Sequence, residues 1–413
     1  MVALPTRSYT SHTIPDRVRR WIPFDEEGVV RWFAEPVHRG AETMLQAPFR
    51  ELDRFVDQAV AEGIVPGGAV LVARGGDVLH RHVRGTRAGL AGPAVPLEPG
   101  TRHPFYSFSK LVGATVVARL VDEGRLAWDE PVARRLPEFG RGGKQGITLR
   151  HLLSHAAGIP SVPLGNVPDE SAWQTAWRTA CSADMEWEPG SRTAYHALSG
   201  LFVAACLARD ACGGATWESI CRERLFEPIG AETLTYDALP DSVPVAWVPQ
   251  PKDPRPKSNR DALPFHGHPG AGCTGTLEDA AKVLRLHLDD GVLPGGRRWL
   301  SRASVAAMHT LQHGPAIRRA LAAGRTPAHE PWGLGPLLRG EGPSVGAHGW
   351  FGFGTQTTPG LFGHVGIDTF LGVDDPVKGV AVVFGATHSP ATSDRTVALR
   401  GGVVDRALAA AAD

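Results

Sequence analysis

Phe105-Tyr106-Ser107-Phe108-Ser109-Lys110 stands directly before an apolar run, Leu111, Val112, Ala114, Val116, Val117, Leu120 and Val121. Apolar side chains on nearly all sides of that run predict a buried central helix. A serine and a lysine three residues apart at its start share one helical face, because three residues is just under one turn. A serine hydroxyl is a poor nucleophile near neutral pH and needs a partner that takes its proton. A lysine amine can serve once burial has lowered its pKa; arginine cannot, since its guanidinium does not lose a proton in a protein. Of the 43 basic residues 37 are arginines and 6 are lysines, at 110, 144, 252, 257, 282 and 378, and among these only Lys110 has a serine three positions before it. Read alone, the tetrapeptide is equally an ordinary helix start, with Ser107 as N-cap and Lys110 in solvent.

Working outward, Phe49, Leu52, Phe55, Val56 and Val60 recur on one face of a helix that Gly63 ends. Ala69 to Ala73 and Val78 to Val83 are β-rich runs separated by Arg74-Gly75-Gly76-Asp77, a hairpin turn. From Gly124 to about Ala307 the strand signal almost vanishes. Helical runs there (Leu149 to Ala156, Leu198 to Ala208, Leu277 to Leu288) alternate with proline-rich loops. Beyond Trp332 glycine-rich and β-branched segments return, Phe362 to Val373 and Val380 to Phe384, before an alanine-rich helix from about Thr392. The expected architecture is α/β plus all-α. Residues 46–123 and 308–413 build an α/β domain around a central antiparallel sheet flanked by helices, and residues 124–307 form an inserted helical domain. Residues 1–45, with Pro5, Pro15, Pro23, Pro36, Trp21 and Trp32, read as an N-terminal extension: a surface wrap, or a cap on the active site or an oligomer interface.

A length of 413 residues suggests two or three domains, or one with a large insertion. The 43 basic residues balance 43 acidic ones, which offers no field for nucleic acid and no polybasic membrane patch. A small-molecule or peptide-like substrate is expected. No apolar run reaches the roughly 18 residues of a membrane span, and the first residues, with Pro5, Arg7, Asp16 and Arg17, lack the apolar core of a signal peptide. A cytoplasmic protein is therefore expected. The 5 cysteines are odd in number and form no CxxC pair, so free, largely buried thiols are expected. No metal or cofactor is expected either. His151 and His155 have the i, i+4 spacing that zinc sites use, but the HExxH glutamate is missing and a Gly-Ile-Pro turn follows. His266-Gly267-His268 lies in a proline- and glycine-rich loop, at the surface or against a substrate pocket. Asp374-Asp375-Pro376 reads as a turn between strands. Met185, Trp187 and Trp350 with Phe351 line an apolar cleft or pack in the core.

Four segments, in order, resemble the serine β-lactamase and penicillin-binding-protein superfamily, especially its class C-like branch of family VIII-type esterases, D-aminopeptidases, transesterases and acyltransferases. They are Ile64-Val65-Pro66-Gly67-Gly68-Ala69, Phe105 to Lys110, Leu149-Arg150-His151-Leu152-Leu153-Ser154-His155-Ala156-Ala157-Gly158-Ile159-Pro160, and Glu188-Pro189-Gly190-Ser191-Arg192-Thr193-Ala194-Tyr195. The resemblance spans about residues 48 to 412 and implies a β-lactamase/transpeptidase-like fold. It implies acyl-enzyme formation on Ser107, with Lys110 and Tyr195 moving protons; the base can be the amine or a phenolate. It assigns the oxyanion to the backbone N–H groups of Ser107 and Ile367, and matches the third family motif to His364-Val365-Gly366. His364, Gly366, Ala197 and Trp350 are then the candidate substrate-binding residues. In β-lactamases and D,D-peptidases a lysine stands where this chain has His364 and an asparagine where it has Ala197. A missing cation and a missing amide argue against those substrates and for an esterase or acyltransferase, in a setting that includes specialised metabolism. Water as acceptor makes it a hydrolase, an alcohol or amine a transferase; the residues leave both open, as they leave the oligomeric state. The alternatives are a β-lactamase or a D,D- or D-amino peptidase, and a catalytically silent ligand-binding or sensor protein.

Overall fold

Alternation along three central strands organises the molecule. In the computed structural model, which describes residues 48–412 except 89–92, 163–164, 248–256, 264, 313–318, 320–330, 340–351, 368 and 391, β1 (Gly67–Arg74) and β2 (Asp77–Ala88) form the expected hairpin. Gly75 and Gly76 make its turn at φ values of 55° and 96°, a left-handed conformation that favours glycine. β2 runs to Ala88, beyond Val83, because Arg84, Thr86 and Arg87 continue the strand without the apolar alternation that would mark it in sequence. The short strand β3 (Ala94–Pro96) pairs with its far end.

Seven of the described strands form one antiparallel sheet in the order β3-β2-β1-β9-β8-β7-β6, where β6 is Leu337–Leu338, β7 Phe362–Gly366, β8 Phe370–Asp375 and β9 Val380–Ala386. The single run expected from Phe362 to Val373 is therefore two antiparallel strands, Phe362–Gly366 and Phe370–Asp375. A separate small pair joins β4 (His103–Pro104) to β5 (Thr274–Gly275), the only strand between residues 124 and 307 among the described residues.

Side chains two apart share a face. Val70 and Val72 of β1, Val373 of β8 and Val382 and Phe384 of β9 pack with helix α1 (Arg50–Ala61) and the C-terminal helix, which starts at Ser393. Ala69, Leu71, Phe370, Ala381 and Val383 face the other way, into a core that they share with the helix Leu277–Leu288, which packs on β1, β8 and β9, and with helix α2 (Ser109–Asp122). Both faces are covered, so these strands read as nearly continuous apolar runs. Each fully buried Val, Leu or Phe contributes roughly 1.5–3 kcal/mol. The second core continues through α3 (Leu149–Leu153), α4 (Glu170–Ser182), α5 (Ser199–Ala211), α6 (Leu277–Leu288) and α7 (Arg302–His309). Asp169, Thr276, Ser301 and Thr392 cap α4, α6, α7 and the C-terminal α8 (Ser393–Ala410), each side chain accepting from a backbone N–H three residues on. Helix α2 has no such side-chain cap.

All 5 cysteines are free. Asp374 and Asp375 are buried at the end of β8, not held in a turn. Asp375 accepts from the Thr358 N–H at 2.8 Å and its hydroxyl at 2.6 Å, while burial beside Asp375 holds the Asp374 carboxyl well above the usual range. No described helix is long and apolar enough to cross a membrane. The N-terminal extension, Trp350 and Phe351 lie outside the described residues.

Candidate active site

Ser107 sits in a single 3-10 turn, Tyr106–Phe108, between β4 and α2. Pairing of β4 with β5, a bond from the Phe105 N–H to the Cys273 carbonyl at 2.9 Å, and one from the Cys273 N–H to Ser109 Oγ at 3.0 Å fix that turn. Phe105 and Phe108 pack edge to face and both contact Phe370 of β8, with centroids 4.6 and 5.3 Å away. Tyr106 has φ 45°, a left-handed conformation that side chains rarely adopt and that clusters at functional sites. Phe108, not Ser107, occupies the N-cap position of α2. The ordinary helix-start reading of the tetrapeptide thus fails: the Ser107 hydroxyl is free for other partners and Lys110 is buried.

Two groups converge on Ser107 Oγ. Lys110 Nζ is hydrogen-bonded to it at 3.0 Å, and the Tyr195 hydroxyl donates to it at 2.6 Å. Lys110 also donates to the Gly270 carbonyl at 2.8 Å. Burial pushes the Lys110 amine down to about 7, so a neutral amine is present at neutral pH. Tyr195 is held by aromatic neighbours: Trp332 stacks on it at 5.5 Å, with His155 at 4.9 Å and His364 at 6.2 Å.

Strand β7 forms the opposite wall. A Cβ on Gly366 would overlap the Phe105 carbonyl oxygen, so only glycine lets the strand lie this close to the serine turn. Ile367 follows, with its side chain 52% exposed. Arg400 of α8 donates to the Gly366 carbonyl at 2.8 Å, which belongs to the same peptide unit as the Ile367 N–H. His364 is buried, and burial, followed by the nearby Lys110 charge, pushes it down to about 3. Its Nδ1 lies 2.7 Å from the Val365 carbonyl, which can only accept; the ring is therefore neutral with its proton on Nδ1. Nε2 is left as a bare acceptor, without a partner among the described residues.

Ala197, two residues after Tyr195, is half-buried and donates its N–H to Ser161 Oγ at 3.1 Å. Trp187 stacks on His196 at 5.4 Å, with the Arg192 guanidinium 4.0 Å over its ring. The helical spacing of His151 and His155 does not survive: α3 ends at Leu153 and His155 turns away at φ 55°. His151 completes a capping box with Thr148, and His155 accepts from the His196 N–H at 3.1 Å. His266 and His268 are buried, not on the surface. Sequence reasoning missed Trp332, Arg400 and the Gly270 carbonyl. The first two carry no local motif; a carbonyl has no residue type to reveal it.

Residues 52–403 match the Beta-lactamase family. Penicillin-binding protein 4 of Amycolatopsis lactamdurans is 32% identical over 266 residues, covering 62% of this chain and 68% of that protein. Esterase EstB of Burkholderia gladioli is 26% identical over 396 residues, covering 86% of this chain and 95% of EstB. The crystal structure of a penicillin-binding protein homolog from Caulobacter crescentus aligns with a TM-score of 0.68 at 25% identity, over 88% of this chain and 98% of that one. The chain belongs to the Beta-lactamase family, among the serine hydrolases of the serine β-lactamase and penicillin-binding-protein superfamily.

Proposed function

We propose that this chain is a cytoplasmic serine acyl-enzyme esterase or acyltransferase, with Ser107, Lys110 and Tyr195 as its catalytic residues. The observation that carries the reading is the convergence of a lysine amine and a tyrosine hydroxyl on one serine hydroxyl, within hydrogen-bond distance at 3.0 and 2.6 Å, with the lysine pushed down to about 7. In acylation Ser107 Oγ attacks the carbonyl of an ester-like donor and its proton passes to the neutral Lys110 amine. The oxyanion is taken by the Ser107 and Ile367 N–H groups; losing one such donor costs about 3 kcal/mol of transition-state stabilisation. As the intermediate collapses, the C–O bond to the leaving group breaks and the Tyr195 hydroxyl protonates the departing alkoxide. The Lys110 proton then neutralises the phenolate. Deacylation runs the same steps with water, an alcohol or an amine as nucleophile.

Specificity turns on His364 and Ala197. A neutral imidazole that offers an acceptor in place of a cation suits a neutral donor or an incoming O–H or N–H group, not a substrate carboxylate. Similarity to a protein named an esterase along 86% of the chain supports this choice. Penicillin-binding protein 4 supports the other family activity.

Short-chain nitrophenyl esters test the assignment. Wild type gives a nitrophenol burst and a covalent adduct by intact mass, and Ser107→Ala gives neither. Acceleration by an added amine or alcohol identifies a transferase. Faster turnover of a chromogenic cephalosporin than of any ester overturns the reading in favour of a β-lactam hydrolase, and ligand binding without an adduct in favour of a silent binding protein.

A further inference from the structure

The buried loop carrying His266-Gly267-His268 ends at the carbonyl that Lys110 touches. His268 Nδ1 accepts the Gly270 N–H at 3.0 Å, and its own carbonyl accepts the N–H groups of Ala271 at 3.1 Å and Gly272 at 2.8 Å. The Gly270 carbonyl thereby lies between two peptides that His268 holds, one by its side chain and one by its backbone. Further along, Cys273 is bonded to the serine turn itself. The loop is pinned from outside as well, by the Val167 N–H on the His266 carbonyl at 3.2 Å and the Gly267 N–H on the Tyr236 carbonyl at 2.6 Å.

Building on the role proposed above for Lys110, we propose that His268 is a positioning residue for that amine: its imidazole holds Gly270 so that the Gly270 carbonyl aims the amine at Ser107. A lysine carries its nitrogen on four flexible carbons. A neutral amine has two N–H bonds and one lone pair. With one N–H committed to Gly270, 2.8 Å away, the lone pair is directed to Ser107, 3.0 Å away. His268 can do this only with Nδ1 unprotonated: burial, with the ring stacked on Phe202 at 5.8 Å, keeps the imidazole neutral, and the Gly270 N–H facing Nδ1 leaves its one proton on Nε2. A side chain that accepts from the N–H two residues on is the geometry of an Asx-turn, so asparagine is the conservative replacement.

The experiment compares His268→Asn, His268→Phe and His268→Gln with wild type and Ser107→Ala, reading the nitrophenyl ester burst rate, KM and the unfolding midpoint. Phe keeps the aromatic packing and removes the acceptor; its burst rate falls about tenfold to a hundredfold, the scale of a misplaced catalytic group, with KM unchanged. Asn keeps an oxygen where Nδ1 stood and recovers most of the rate, whatever its unfolding midpoint. Gln, whose oxygen lies one bond farther out, stays slow and replaces Phe in the comparison should Phe not fold. Asn as slow as Phe or Gln, or Phe or Gln as fast as wild type, overturns the positioning role. Absence of a wild-type burst, or a burst in Ser107→Ala, overturns the nucleophile assignment and this role with it.

Discussion

Ser107 lies between two groups that differ in what they can give and take. Lys110, buried and pushed down to about 7, is protonated below that pH and an available base above it. The burst rate on a nitrophenyl ester should therefore rise with pH through about 7 and level off; a rate flat between pH 5 and 8 would remove Lys110 as the base. Replacing Lys110 with arginine puts a permanent cation there that cannot lose its proton, so Lys110→Arg should be as slow as Lys110→Ala, with a loss of about 10²–10⁴-fold in acylation rate. Recovery of activity by arginine would mean the residue serves only as a charge.

At the scale of elements, the proposed catalysis calls for β7 to lie against the serine turn. Gly366→Ala places a methyl group where the Phe105 carbonyl already stands. The strand must move, which should cost about 1–3 kcal/mol in stability and lower kcat/KM by about a hundredfold, read by urea denaturation and ester kinetics. Phe370 of β8 supports the same turn from the core through Phe105 and Phe108. Phe370→Ala should cost about 3–5 kcal/mol and slow acylation, although Phe370 touches none of the proposed reacting groups. Four positions along β8, Asp374 is a liability unconnected with the reaction. Both its oxygens lack partners among the described residues and burial favours its neutral form. Asp374→Asn should raise the urea midpoint at pH 7 and leave ester turnover unchanged.

The whole molecule carries an unusual load of buried neutral imidazoles. His103, His268 and His364 are pushed down to about 3 by burial, and His196 and His309 to about 4. The unfolded chain, with histidines near 6.5, binds more protons than the fold between those folded values and 6.5, so their contribution is complete above about 6.5 and is lost as pH falls. Asp374 acts with the opposite sign: its raised folded pKa favours the fold at low pH and costs stability as pH rises above the carboxylate range. The histidines outnumber it, so the urea midpoint should drop steadily from pH 6.5 to 4.5. A constant midpoint over that interval would mean that these rings do not stay neutral in the fold.

Helix α6 was legible to the residue from its apolar periodicity, and the β1–β2 hairpin from its two glycines, because both depend on neighbours in sequence. The ordered motifs around Ser107, Tyr195 and His364 were legible too, since acyl transfer demands those residue types. By itself, then, the sequence determined the family, the antiparallel sheet with helices and the cast of the candidate site. Only the tertiary structure decided that Ser107 is not a helix cap, that His155 leaves its helix, and that Trp332, Arg400 and the Gly270 carbonyl join the site. Those outcomes rest on burial and on hydrogen bonds between segments 160 residues and more apart. Proton affinity and backbone acceptors are set by such neighbours in space, and no local pattern encodes them.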